Sequence, residues 1–407
     1  MIYSEEEILQ YIEENDVKFV KLTFCDGNGH MKNLSIPASE LASAFARGIR
    51  ITAKKIKGFE AAQGRDLFLF PDSQTMTPLP WRPQDGRVIR MFCYIRYADG
   101  SHFEADSRYF LKAIMKEAIR KGYRFRFGTS CEFMLFLLDD LGLPTELPHD
   151  QAGCYDTAPE DKGENLRRDV CLTLEQMGIR PVASHHEAGA GQHEIDFAAS
   201  SALKAADTFL SFKSAVRSVS SAHGVYASFA PKPLPDAFGN GMHITMTVYH
   251  AEEDRIDLAL QRHAAAGIMR RIREFALFTN TAVGSYARLG DFAVPRTVTW
   301  SMREGEQLFR LYDESAGEGM TLRAADCACN PYYVFGLMIC AAMEGIAEDL
   351  PLPPENSGTQ ELPHDLSEAA DCAGNSAFLA EHIPPSVLDG FLKRRRDEWT
   401  AFAKAQH

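Results

Sequence analysis

At 407 residues the chain is long enough for two or three domains and a large buried core. Its formal charge of −13 excludes a nucleic-acid partner, because a phosphate backbone needs clustered Lys and Arg. No apolar run approaches the roughly 20 residues needed to cross a bilayer.

Residues 4–15 read as an amphipathic helix with Ile8, Leu9 and Ile12 on one side, too acidic for a secretory signal. VKFVKLTFCDGNGHMKNLSIP follows, alternating on both sides of Asp26-Gly27-Asn28-Gly29, which predicts a hairpin. Pro37 to Glu40 opens a helix, and a second pair of strands is expected at Leu67–Pro71 and Val88–Tyr97. These elements make a small α+β domain over 1–103. The second domain, 104–407, alternates longer helices with strands. Helices are expected at Ser107–Lys121, Lys162–Met177, Ala202–His223, 257–280 and 332–348, the last an apolar core helix. Arg124–Leu138 reads as a strand with Glu132, Met134 and Phe136 on one face, and 241–249 as another. Residues 351–374, rich in Pro, Glu, Ser and Asp, read as a surface excursion, and Lys393 to Arg396 as a solvated helix face. Nine cysteines, odd in number and without a CxxC pair, read as free thiols in a reducing cytoplasm; Cys327 and Cys329 alone are weak evidence for metal.

His185-His186-Glu187-Ala188-Gly189-Ala190-Gly191-Gln192-His193-Glu194 concentrates the chemistry. Two glutamates flank a small-residue stretch, and carboxylate oxygens suit a hard cation such as Mg²⁺ or Mn²⁺. A solvated polar loop is the plain alternative. Glu132 lies in an apolar strand, where an unpaired charge is costly, so it either ligates metal or pairs with an arginine. His243 opens a strand behind the flexible Gly239-Asn240-Gly241 turn, a place where a lone histidine is commonly structural.

Together these segments resemble the glutamine synthetase family. The hairpin with PASEL (37–41), GFEAAQGRDLFLFPD (58–72), YDTAPEDKGENLRRDV (155–170), HHEAGAGQHEIDF (185–197), APKPLPDAFGNGMH (230–243), NTAVGSYARL (280–289) and ACNPYYVF (328–335) occur in that family's order. The resemblance implies an N-terminal β-grasp domain and a catalytic α/β domain bearing a curved antiparallel sheet. It implies homo-oligomeric, hexameric rings, usually stacked as dodecamers, with each site completed by the neighbour's N-terminal domain. It also implies ATP-dependent phosphorylation of the γ-carboxylate of glutamate, attack by ammonia, and two divalent metals.

Carried over by position, the resemblance is uneven. Glu132, Glu187 and Glu194 match the three metal ligands nearer the amino acid. Arg288 and Arg323 match substrate-carboxylate and phosphate contacts, and Gly239 matches a substrate-facing carbonyl. On the nucleotide side only His243 remains of three metal ligands, with Ser130 and Thr321 replacing glutamates. Gly305 and Gly319 stand where the family has arginines, Val182 replaces an acidic contact, and Thr245 replaces a second histidine. Arg310 is retained, and Arg310 and Thr247 are the candidate nucleotide contacts. In the ammonium site, Thr52 and Ala293 replace two carboxylates, beside the basic Lys54 and Lys55.

The expected catalytic set is Arg288, Arg323 and His243; Gly239, Arg288, Arg323 and Glu194 bind substrate; Glu132, Glu187 and Glu194 bind one metal, and His243 is the remaining ligand of a second, eroded metal site. Three functions fit: an ATP-dependent ligase joining a glutamate-like acid to an amine other than ammonia, an ATP-independent single-metal enzyme acting on an amino acid or its amide, and a silent amino-acid-binding homologue.

Overall fold

The computed structural model describes residues 3–83, 85–252, 256–292, 294–303, 305, 307–312 and 319–405. The first region runs α1 (Glu5–Glu14), β1 (Val17–Cys25), β2 (Met31–Pro37), α2 (Leu41–Arg47), β3 (Ile49–Ile51), β4 (Leu67–Pro71), β5 (Thr77–Pro78) and β6 (Arg87–Tyr97). Ser4 caps α1 in a reciprocal capping box with Glu7, which satisfies two orphan donors of the first turn. The hairpin forms as its alternation predicts, β1 against β2 from Phe19↔Pro37 to Cys25↔Met31. The sheet order is β2-β1-β6-β4-β3, with β5 beside β6, and β1 runs parallel to β6.

The second region contains α3 (Ser107–Arg120), β7 (Tyr123–Leu138), β8 (Pro144–Pro148), α4 (Glu164–Gln176), β9 (Pro181–His186), β10 (Gln192–Ser201), α5 (Ala202–Ala222), β11 (Val225–Ser228) and β12 (Met242–His250). It continues with α6 (Leu258–Arg271), α7 (Ala276–Thr279), α8 (Val283–Arg288), β13 (Trp300–Ser301), β14 (Phe309–Leu311), β15 (Met320–Leu322), α9 (Pro331–Ala347), α10 (Leu366–Gly374), α11 (Ala377–His382) and α12 (Pro385–Ala405). Its sheet is ordered β13-β14-β15-β12-β7-β10-β9, with β8 and β11 also pairing the long β7. Pairing is antiparallel except between β13 and β14.

Period two governs the central strand: Phe125, Phe127, Cys131, Phe133 and Leu135 are buried, whereas Arg124 and Arg126 are exposed and Ser130 and Glu132 half-buried. The buried face rests on helices, with Phe133 edge-on to Phe212 of α5 and Phe127 stacked on Phe335 of α9. This leaves the polar face of the sheet free to carry a site. The two regions are joined by Arg108, which bonds Asp72 at 2.9 Å and holds Asp207 through two nitrogens.

Three sequence expectations need correction. The helix expected over 257–280 is broken between α6 and α7, where Glu274 N–H bonds Arg271 O at 2.8 Å and both Ile272 and Phe275 bury completely. The excursion at 351–374 ends in α10, whose Leu366, Ala369, Ala370 and Ala373 form a buried stripe; Asp365 caps it through Glu368 N–H at 2.8 Å. Within Lys393 to Arg396, Arg395 is buried, donating to Thr281 O and to Asn28 Oδ1, each at 2.8 Å.

Candidate active site

Antiparallel register sets residues of one row side by side on the same face. The first row crosses β9, β10 and β7 as His185, Glu194 and Glu132. The second crosses β10, β7 and β12 as Asp196, Ser130 and His243. The third crosses β7, β12, β15 and β14 as Gly128, Thr245, Thr321 and Arg310. Thr247 lies one row further, opposite Arg126. Nearly every sequence-predicted site residue therefore lies on or beside one sheet face.

The first row is the acidic end. The stretch expected as a metal site or a polar loop is the β9–β10 turn, which folds Glu187 back over its own strands. His185 Nε2 stands 2.8 Å from Glu187 Oε1 and 3.9 Å from Glu194 Oε1. Ligand atoms of these three residues all lie within 4.8 Å of one another. Burial first, then the carboxylates of Glu132, Asp196 and Glu187, pushes the Glu194 carboxyl far above its usual range. Burial likewise lifts Glu132 to about 7, with Glu187 adding to the effect. Such crowded carboxylates with an imidazole beside them fit a hard divalent cation, whose charge would relieve the repulsion.

Glu132 is bonded rather than ion-paired. Its Oε2 accepts from Gly241 N at 2.8 Å and from Gln192 Nε2 at 2.9 Å. Gln192 Nε2 also reaches the Gly239 carbonyl at 3.0 Å. Arg288 is buried and donates from Nη2 to the carbonyls of Ala324 and Ala325. A methyl group added at Gly241 would lie 3.1 Å from Arg288 Nη1 and 3.6 Å from Glu132 Oε1. Glycine there keeps open the gap between guanidinium and carboxylate. His243 is pushed down to about 3, by burial and then by Arg323 and Arg288, so its imidazole is neutral and able to ligate. Arg323 follows β15 and donates to the Gly305 carbonyl.

The third row has a different chemistry. Thr245 Oγ1 and Thr321 Oγ1 bond each other at 2.8 Å, and Tyr312 OH reaches Thr321 Oγ1 at 3.2 Å. The Arg310 guanidinium lies 5.0 Å from the centre of the Tyr312 ring. Gly319 has φ +89°, and a Cβ there would collide with the Met246 carbonyl and lie 2.7 Å from Thr247 Oγ1. No side chain fits this backbone without strain. Ala293 lies outside the described residues. Thr52 is exposed at the start of a short 3-10 turn that carries the exposed Lys54 and Lys55.

A second group, Asp150, His186 and His193, also has ligand atoms within 4.8 Å, and hydrogen bonds occupy those of Asp150 and His186. His186 faces the Glu187 carbonyl from Nδ1 at 2.6 Å and Asp150 Oδ1 from Nε2 at 2.8 Å. Both partners accept, which favours a proton on each ring nitrogen. Burial opposes that charge, yet Asp150 and the carbonyl raise the His186 pKa, while His186 holds the Asp150 carboxyl well below its usual range. His193 Nδ1 accepts from Arg167 at 2.8 Å, which spends its lone pair.

Sequence reasoning omitted His185, Gln192 and Asp196 from the site. Period-two spacing from Glu194 would have found Gln192 and Asp196. His185 needed the strand register, and Asp150 left no local signal.

The catalytic-domain model of glutamine synthetase matches residues 104–407, and its beta-grasp-domain model matches residues 16–98. A glutamine synthetase of Methanosarcina mazei is 36% identical over 428 residues, spanning 99% of this chain and 96% of the relative. A glutamine synthetase of Clostridium saccharobutylicum is 34% identical, spanning 100% of this chain and 97% of the relative. Among solved structures, a protein designated GmaS in complex with ADP superposes with a TM-score of 0.88 at 22% identity, covering 99% and 97% of the two chains.

Proposed function

The chain belongs to the glutamine synthetase family, and from that premise we propose that it is an ATP-dependent carbon–nitrogen ligase that couples a glutamate-like acid to an amine other than ammonia. The observation that carries this reading is the retained acidic row, with the exposed Thr52 standing where the family binds ammonium with a carboxylate; the hydroxyls of the third row count against it. The acidic row retains its carboxylates, while the third row has exchanged charged groups for hydroxyls that bond each other.

At the acidic end Glu187, Glu194 and His185, whose ligand atoms lie together, would hold Mg²⁺ or Mn²⁺ with Glu132, opposite Glu194 in the row. The bound cation would supply Lewis-acid polarisation of a substrate carboxylate. Arg288 projects Nη1 toward the gap at Gly241, where a bidentate guanidinium grips a carboxylate. Gly239 and Glu194 face the amino-acid end, and Arg323 beside neutral His243 would counter charge developing on a transferred phosphoryl group. Arg310 and Thr247 would meet the nucleotide. Loss of the ammonium carboxylates at Thr52 and Ala293 favours a larger amine. Each site would be completed by the N-terminal domain of a neighbour in a homo-oligomeric ring.

A second reading, an ATP-independent single-metal enzyme, is favoured by the Thr245–Thr321 bond and by Gly319, which leave the nucleotide end without carboxylates. Calorimetric titration of ATP with Mg²⁺ and then Mn²⁺ separates the two. The ligase binds nucleotide in at least one of these conditions; no heat in either selects the second reading.

A further inference from the structure

The turn that presents Glu187 is built from Ala188, Gly189, Ala190 and Gly191 and has no large side chain to pack it in place. Its glutamate stands among carboxylates that repel it. Within the hairpin His185 Nε2 meets Glu187 Oε1 at 2.8 Å and the Glu187 N–H donates to Gln192 O at 2.8 Å; from outside it, further bonds lead to Asp150, in the segment after β8 and 36 positions before His186.

The Asp150 side chain is fully enclosed, at 0% exposure. Its Oδ1 accepts from His186 Nε2 at 2.8 Å, from Gly191 N at 3.1 Å and from Ala152 N at 3.4 Å. Its Oδ2 accepts from Lys162 N at 3.1 Å. His186 lies just before Glu187, and Gly191 closes the same turn, so a single oxygen ties both feet of the loop. His186 passes the constraint on by donating from Nδ1 to the Glu187 carbonyl at 2.6 Å. Asp161 reinforces the arrangement from the same outer segment by gripping Arg167 through both oxygens, at 3.1 and 2.6 Å. Arg167 in turn fixes the tautomer of His193, the neighbour of Glu194.

Resting on the metal reading above, we infer that Asp150 is a positioning residue, which acts through His186 and Gly191 to pre-set Glu187 for the cation. Groups that orient ligands in this way change metal affinity about 10- to 100-fold when removed. A merely structural buried ion pair would lower stability and leave affinity alone. The Asp207 carboxylate, bonded to Arg108 at 2.9 Å and remote from the acidic row, provides that comparison.

The test is a calorimetric Mn²⁺ titration of the full chain, with melting curves confirming that each variant is folded at the assay temperature. Asp150→Asn should bind Mn²⁺ about 10- to 100-fold more weakly. Asp207→Asn should lose stability but bind within about twofold of the native chain. In turnover assays, saturating Mn²⁺ should restore most of the Asp150→Asn rate, because the ligands themselves are intact. Should Asp150→Asn fail to fold, His186→Gln decides, since an amide can serve Asp150 or the Glu187 carbonyl but not both; about tenfold weaker binding is expected. Native affinity in a folded Asp150→Asn or His186→Gln chain overturns the positioning role and leaves the metal reading standing. Failure of the native chain to bind Mn²⁺ overturns both.

Discussion

The two ends of one sheet face have the same backbone and opposite chemistry. At the acidic end, His185, Glu194 and Glu132 share a row, and Glu187 folds in above them. At the other end, Thr245 and Thr321 share a row and satisfy each other at 2.8 Å. One end concentrates unrelieved charge that calls for a cation. The other carries two neutral hydroxyls that satisfy each other by a hydrogen bond. One set of strands and one register thus present two different chemistries on the same face.

The largest expected effect of breaking that asymmetry comes from the acidic end. Glu194→Ala should lower turnover about a thousandfold, because a metal clamp is worth several kcal/mol of charge stabilisation. Restoring charge at the other end should sharpen the contrast in reverse. The double variant Ser130→Glu, Thr321→Glu should take up a second equivalent of Mn²⁺ and tighten ATP binding about tenfold, both read by calorimetry. An unchanged stoichiometry would mean that the space between Ser130, His243 and Thr321 has no room for a metal.

The acidic end should also respond to pH. In the metal-free chain burial, aided by Glu187, lifts Glu132 from 4.5 to about 7. A raised carboxyl pKa stabilises the fold below the ordinary value, and that contribution disappears as pH rises through about 7. Metal-free melting temperatures should therefore fall between about pH 5 and 8, and saturating Mn²⁺ should flatten the decline. Equal slopes with and without Mn²⁺ would count against a cation at this cluster. The smallest effect belongs to Thr245→Val. It removes one partner of the hydroxyl pair, but Thr321 keeps Tyr312 at 3.2 Å. A cost of about 1 kcal/mol in denaturant titration is expected, with ATP affinity unchanged.

The sequence exposed those parts of the molecule that depend on local rules. The Asp26–Gly29 hairpin and the apolar helix α9 follow from periodicity and turn chemistry over short windows. Residue type and neighbouring glycines alone leave a polar loop, an arginine pair and a structural histidine open; Glu132, Glu187, Glu194 and His243 are selected as a set only through the resemblance to the glutamine synthetase family. What stayed hidden depends on strand register. Nothing near Thr245 announces that it meets Thr321, 76 positions later. Asp150 likewise sits in an irregular segment with no motif of its own. The helix α10 was obscured for a local reason, because its buried stripe is made mostly of alanine in a polar stretch.

The central claim, a ligase that has moved from ammonia to a larger amine, is tested most directly by phosphate release from ATP with glutamate present. Ammonium and a panel of primary amines would be compared at equal concentration. The account predicts that at least one organic amine stimulates release well above ammonium. Release driven best by ammonium, or no release with any acceptor, would contradict it.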